Sequence, residues 1–230
     1  MSTPFKFLLF VALFAAAYFL CDQATWGFTT ARLPTTQDLG FSPPQNDPPP
    51  YLQQKFYLRD QGGQSYVFIS EDGKYVLKFF KDMPRPWLRW PSYQKKKFGK
   101  LKRTLTGYQL AYDRLREETG LLYLHLSPSS SPLPALLIDR LHITHTLDLS
   151  SVYFVLQKRA EPLTSPQNFL PQIQQLLQKR SSAQIADHDP RLHFNLGWID
   201  HHLVFIDPGR FTHDPSATSE LPAKFLEHLP

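Results

Sequence analysis

The sequence predicts an α+β fold, with an antiparallel sheet in the first half of the domain and a reduced helical and hairpin part at its C-terminal end. Three patterns predict it. Between residues 55 and 81, β-branched and aromatic runs are broken by a glycine pair and by an Asp-Gly pair, a strand–turn–strand–hairpin–strand series. Leu105, Tyr108, Tyr112 and Leu115 then recur at helical spacing. Two short apolar runs flank Asp200-His201-His202, a second hairpin. A length of 230 residues with 42% hydrophobic and 20% charged residues suits one globular domain and excludes a disordered chain or a multi-pass membrane protein. The single cysteine, Cys21, excludes a disulfide framework, a thiolate zinc site and a cysteine nucleophile deep in the fold.

Residues 1–28 read as a targeting or anchoring element. Phe7 to Cys21 is an uncharged apolar run, preceded by Lys6 and followed by Asp22, with Trp26 and Phe28 as interfacial aromatics. The run is short for a spanning helix, which needs roughly 20 residues. A single-pass anchor through residues 7–21 is the first reading and a cleaved signal of an exported protein the second. A lipoprotein signal is the third, although Leu20 before Cys21 is not small. Lys6 favours an N-inside orientation, which would place the domain outside the cytoplasm. Residues 29–54 carry Pro34, Pro43, Pro44, Pro48, Pro49 and Pro50 among polar residues and read as a polyproline-like linker.

The domain proper is expected over 55–215, with a tail over 216–230. Its strands are expected at Lys55–Leu58, Ser65–Ser70 and Tyr75–Lys81, with Gly62 and Gly63 in the first turn and Asp72-Gly73 in the second. Val76, Lys78 and Phe80 share a face of the third, where a lysine either snorkels at an edge or points into a cleft to meet an anion. A helix over Leu105–Glu118 stops at Thr119-Gly120. Strands at Pro134–Leu149 and Ser151–Leu156 and a helix over Pro166–Arg180 follow, giving about five strands in the sheet. The last hairpin, Leu196–Ile199 with Leu203–Ile206, brings Asn195 and Asp207 to one mouth, which Asp189 enters from the preceding loop. A carboxylate and an amide oxygen there suit Mg²⁺.

In this order the elements resemble the protein-kinase-like fold, with an antiparallel N-lobe sheet and a shortened C-terminal part. Asp207-Pro208-Gly209 resembles the metal-binding Asp-Phe-Gly motif with proline in the middle, and Asp189 after His188 resembles the catalytic-loop aspartate eighteen positions earlier. Arg191 stands where many kinases carry a basic residue facing the transferred phosphate. Asn195 resembles the second metal ligand, although it lies six positions after Asp189 where five is usual. Lys78 in Tyr75-Val76-Leu77-Lys78 resembles the strand lysine that holds the α/β-phosphates, with Glu117 or Glu118 as its helix partner. Gly62 and Gly63 stand in for a three-glycine phosphate loop. The resemblance implies Mg²⁺ and ATP as cofactors, Asp189 and Arg191 as catalytic residues, Lys78, Glu117, Gly62 and Gly63 as nucleotide-binding residues, and Asn195 and Asp207 as metal ligands. With 21 residues after Gly209, a small molecule, sugar or lipid is the expected acceptor rather than a protein. The alternative is a non-catalytic, pseudokinase-like interaction protein at a membrane.

One stretch stands outside the resemblance. Arg85, Arg89, Lys95, Lys96, Lys97, Lys100, Lys102 and Arg103 are interleaved with Trp87, Trp90, Tyr93 and Phe98, with no acidic residue from Met83 to Tyr112. Behind an anchor, Arg85–Arg103 suits anionic lipid better than nucleic acid; a solvated insertion loop is the alternative. A histidine-based metal hydrolase is disfavoured, because the late histidines (His188, His193, His201, His202, His213, His228) show no His-x-x-x-His with a nearby Glu.

Overall fold

The structure is a computed structural model that describes residues 3–37, 39–41, 47–81, 91–189 and 191–221. A helix, α1 (Thr3–Ala24), precedes the domain, and none of its residues is buried. Three antiparallel strands follow: β1 (Lys55–Gln61), β2 (Ser65–Ser70) and β3 (Tyr75–Phe80). The β2–β3 turn closes as its composition demands. Gly73 takes φ 72°, and Asp72 Oδ1 accepts from Ser70 Oγ and from the Lys74 N–H.

Then come α2 (Pro91–Arg114), the short α3 (Arg116–Thr119), β4 (Leu121–His125), β5 (Pro134–Ile138), β6 (Thr144–Asp148), β7 (Phe154–Lys158) and β8 (Glu161–Pro162). The C-terminal part holds α4 (Leu170–Ser182), β9 (Ile185–Asp187), β10 (Leu196–Ile199), β11 (His202–Phe205) and β12 (Phe211–His213). The main sheet has seven strands in the order β4-β7-β3-β2-β1-β5-β6. Only the β1–β5 pair in it is parallel. Two small sheets, β11-β10-β8 and β12-β9, complete the C-terminal part.

Four expectations are corrected. The sheet has seven strands rather than about five, because β4 escaped the sequence reading and the single strand expected over Pro134–Leu149 is the β5–β6 hairpin. Asp139 reverses the chain there, its Oδ1 accepting from the N–H groups of Leu141 and Ile143. The helix expected at Leu105 begins at Pro91, proline being well placed in a first helical turn. Gly107 therefore lies within α2, not near its start. Residues 29–54 are not a free spacer along their described length: Leu33, Leu39 and Leu52 are buried, the Thr36 N–H donates to the Ser151 carbonyl, and the Gln37 N–H donates to Tyr153 Oη. Proline removes donors from this segment, but the leucines between supply burial. Finally, α1 runs past the fifteen apolar residues to 22, about 33 Å at 1.5 Å per residue, which matches a bilayer core.

The pleat of the main sheet sorts two cores. Phe56, Phe68, Leu77, Phe79, Phe154 and Leu156 pack on one face with Phe28, Leu33 and Leu52 of the N-terminal strap. Phe80 and Val155 face the other way, where α2 brings Leu105, Tyr108 and Ala111, the α2–α3 junction brings Leu115, and α4 brings Ile173, Leu176 and Leu177. Lys78 shares this second face, so its position beside α2 is fixed by strand alternation.

Candidate functional site

The β10–β11 hairpin sets the geometry. Asp200 and His201 take φ 48° and 65°, the left-handed pair of a tight two-residue turn. The register then pairs Leu196 with Phe205, and the Ile206 N–H donates to the Asn195 carbonyl at 2.8 Å. Asn195 thus faces Ile206, the residue before Asp207.

From there Asp207 is drawn against α2. A Cβ on Gly107 would lie 2.5 Å from the Pro208 carbonyl oxygen, so only glycine lets the helix backbone touch the 207–209 turn. One residue on, Tyr108 Oη donates to Asp207 Oδ1 at 3.0 Å, and the Gly209 N–H donates to the same oxygen at 3.3 Å. Lys78 Nζ donates to the Ile206 carbonyl and lies 3.5 Å from Tyr108 Oη. A strand lysine, a helix tyrosine and a turn carboxylate therefore form one relay.

Its electrostatics follow from burial. Desolvation lowers the Lys78 pKa, opposed by the charge of Asp207. Tyr108 is pushed well above the ordinary tyrosine value, first by burial and then by Asp207, so it remains a proton donor. Burial alone would raise Asp189; its hydrogen bonds with Arg191 and the charges of Arg191 and Arg210 outweigh that and hold its carboxyl below the usual range. Arg191 Nε stands 3.3 Å from Asp189 Oδ1 and Arg210 Nε stands 3.8 Å from Oδ2. Asp187 is raised by burial and by the charges of Asp189 and Asp207, although it accepts the Asp189 N–H and feels Arg180.

Of the residues singled out from sequence, Lys78 and Asp207 meet through Tyr108. Asp189 and Arg191 pair with each other, and Arg191 also feels the charge of Asp207. Glu117 and Glu118 do not reach Lys78, which corrects the expected pairing. They sit on α3, nine and ten residues beyond Tyr108, and Glu118 pairs with Lys179 at 2.8 Å. Gly62 and Gly63 form the β1–β2 turn, where the Gly62 carbonyl accepts from Lys81 Nζ at 2.7 Å. Gln64, next in that turn, accepts from Thr104 Oγ1 at 2.8 Å, one turn of α2 before Tyr108. A cavity of about 330 Å³ opens there, lined in part by Gly63, Lys81, Lys97, Lys100 and Thr104. A larger cleft of about 780 Å³, beside Trp198 and Asp200, contains none of Lys78, Asp189, Asn195 or Asp207.

Among the described residues no three His, Cys, Asp or Glu side chains gather to hold a metal. The residue types at the two ends of the hairpin are one amide, Asn195, and one carboxylate, Asp207. Asn195 is buried and its Nδ2 has no hydrogen-bond partner among the described residues; a cation would take its Oδ1 instead. Such a set fits Mg²⁺, which is usually bound through one or two carboxylates with phosphates and waters filling the rest.

Sequence reasoning missed Tyr108, Gly107, Arg210 and Asp187. Tyr108 was visible only as one apolar position of the α2 period, and its hydroxyl gave no signal. Gly107, a lone glycine inside a helical pattern, was the available clue to a close approach. Arg85 and Arg89 of the basic stretch lie outside the described residues. Lys95, Lys96, Lys100, Lys102 and Arg103 are exposed on the first half of α2.

No protein-family model matches the chain, and no curated protein matches it in sequence. Among solved structures it is similar to WbdD with the kinase inhibitor LY294002, at 16% identity and a TM-score of 0.40 over 70% of this chain and 34% of that one. It is also similar to a bifunctional kinase-methyltransferase form of WbdD, at 16% identity and a TM-score of 0.36 over 66% of this chain and 31% of that one. A third is the Legionella pneumophila Lpg2603 kinase bound to IP6, at 15% identity and a TM-score of 0.34 over 74% and 54%. The chain spans about a third of the length of the WbdD structures.

Proposed function

We propose that this chain is a membrane-tethered, kinase-like protein that binds a Mg-nucleotide and transfers phosphate to a small molecule, sugar or lipid. The observation that carries the reading is the relay from Lys78 through Tyr108 to Asp207, a buried cation and a carboxylate brought together from β3, α2 and the β11 end. Asp207 and Asn195 would hold Mg²⁺, which supplies neutralisation of phosphate charge when bound. Lys78 offsets negative charge on a nucleotide at the same place. Asp189, kept ionised by Arg191 and Arg210, is the acceptor for the proton of an attacking hydroxyl, and Arg191 offsets charge on the transferred group. Positioning and neutralisation are most of what phosphoryl transfer asks of a protein. A small acceptor is supported by the chain after Asp207, which enters β12 at Phe211 and pairs back on β9.

A membrane tether rather than a cleaved signal is supported by the foot of α1. Arg32 Nη1 donates to Asp22 Oδ1 at 3.0 Å and to the Gly27 carbonyl at 2.7 Å, and its Nη2 donates to Tyr18 Oη at 3.1 Å. A cut after α1 would strip Arg32 of two of these partners. The exposed lysines of α2 are the candidate contact for anionic lipid. They lie on the sheet face opposite the one that Phe28 covers, so that contact would be separate from α1.

A second reading has its own support. Tyr108 stands where an acidic partner of Lys78 was expected, and Asp189 is engaged by two arginines; both suit a non-catalytic, pseudokinase-like interaction protein. The test is a thermal shift of the full chain in detergent with ATP or GTP, with and without Mg²⁺, for the parent and Asp207→Asn. The proposed function expects a Mg²⁺-dependent shift that Asp207→Asn abolishes. A shift that survives the substitution makes Asp207 a turn residue and ends the enzyme reading.

A further inference from the structure

The foot of α1 lands on a built surface rather than hanging from a tether. Besides the Arg32 contacts, Tyr66 Oη donates to the Gly27 carbonyl at 2.7 Å in a buried bond. Phe28 packs edge-on against Tyr66, Phe68 and His145, with ring centroids 5.1–5.6 Å away. The β5–β6 turn closes the contact: Arg140 Nη1 donates to the Gln23 carbonyl at 3.2 Å, and its guanidinium lies 4.6 Å above the Trp26 ring.

That turn is held stiffly. The buried Asp139 accepts the Leu141 and Ile143 N–H groups through Oδ1 at 2.8 and 2.9 Å, and its Oδ2 pairs with His145 Nε2 at 2.8 Å. His142 at φ 61° completes the reversal. The product is a rigid tip on which Leu141 and Ile143 are 50% and 52% exposed, on either side of His142. Outside α1, six large apolar side chains are exposed among the described residues, and three of them, Leu136, Leu141 and Ile143, belong to this hairpin. Their concentration next to the last turn of an unburied apolar helix, with Trp26 and Arg140 between, is the composition of a bilayer interface.

We infer that the β5–β6 turn is a second membrane contact, in which Leu141 and Ile143 enter the headgroup–acyl boundary of the bilayer that holds α1. The inference rests on α1 being a membrane helix. Its occupant is lipid rather than a protein partner, because the tip adjoins α1 through Arg140 and would meet the same bilayer. The consequence is orientational: three attachments, α1, Trp26 and the turn, fix the β1–β5–β6 edge of the sheet against the membrane.

The test uses the full chain with Cys21→Ser, reconstituted in mixed phosphatidylcholine and phosphatidylglycerol vesicles that carry a nitroxide lipid. An environment-sensitive fluorophore is attached at Leu141→Cys, Ile143→Cys, Phe14→Cys within α1, or Asp200→Cys on the exposed β10–β11 turn. Interfacial side chains lie roughly 5–10 Å into the boundary, so quenching at 141 and 143 should exceed that at 200 about twofold. Quenching at 14 but none above the Asp200 level at 141 and 143 overturns the inference and leaves the anchor standing. No quenching at 14 overturns both. As a second readout, vesicles should slow tryptic cleavage after Arg140 in the parent and not in Leu141→Asp/Ile143→Asp. Equal rates in the two would also overturn the contact.

Discussion

Tyr108→Phe removes one oxygen and keeps the ring, and the structure makes its effect calculable. That oxygen donates to Asp207 Oδ1 at 3.0 Å and is within 3.5 Å of Lys78 Nζ, in a fully buried setting. A hydrogen bond to a charged group contributes about 1.5–3 kcal/mol, and the Gly209 N–H stays on the same carboxylate oxygen, so about 2 kcal/mol is the expected loss. For a domain of this size 1 kcal/mol moves Tm by roughly 2–4 °C, so the variant should melt about 4–8 °C lower. The assay is thermal unfolding of the full chain in detergent, with Tyr112→Phe as control. Tyr112 is on the same helix, and its ring contact with Arg116 survives the change. The control should stay within about 1 °C. A Tyr108→Phe variant that melts with the parent, while still folding, would refute the relay as a structural unit.

Other outcomes follow from the same geometry. Gly107→Ala improves helix propensity by about 1 kcal/mol, yet should destabilise the fold by a net 1–3 kcal/mol or so in chemical denaturation, because the new methyl meets the Pro208 carbonyl; a stabilised variant would contradict the close approach. Asp139 has a depressed carboxyl, in which the His145 and backbone hydrogen bonds outweigh the upward push of burial. Its contribution is present above the unfolded value of about 3.9 and is lost as pH falls through the lower folded value. The stability gap between the parent and Asp139→Asn should therefore be open near neutrality and close in acid; a gap that is the same at both would contradict the assignment. Replacing Lys95, Lys96 and Lys97 by Glu should weaken flotation of a chain lacking α1 on anionic liposomes, whereas unchanged or absent flotation would make the first half of α2 a solvated face.

Much of the first half was legible, since β2 and β3 are marked by β-branched and aromatic residues around an Asp-Gly turn, and the β10–β11 hairpin is bounded by its own short apolar runs. What was hidden has physical causes. Leu121 to His125 is apolar without alternation because β4 buries most of its residues, so period-2 reasoning passed it by. The β5–β6 reversal uses no Gly, Pro or Asn-Gly, only the capping carboxylate of Asp139. The first half of α2 is dominated by lysines, among which Phe98 and Leu101 give only a thin apolar stripe, so the basic composition masked the helix that begins at Pro91. At the site, Lys78 and Asp207 were readable because strand alternation and hairpin register fix them. Their link was not, because a tyrosine counted toward the core carries the polar contact, and Glu117 and Glu118 were drawn in by their charge while lying one helix too far along the chain.

The measurement that bears most directly on the proposed activity is titration of the full chain in nanodiscs with a fluorescent ATP analogue, with Mg²⁺ and with chelator, for the parent, Lys78→Ala and Asp207→Asn. Saturable, Mg²⁺-dependent binding by the parent, weakened at least tenfold (about 1.4 kcal/mol) in both variants, is the expected result. Parent binding that is indifferent to Mg²⁺ and to both substitutions would place any nucleotide elsewhere and contradict a site built on Lys78, Tyr108 and Asp207.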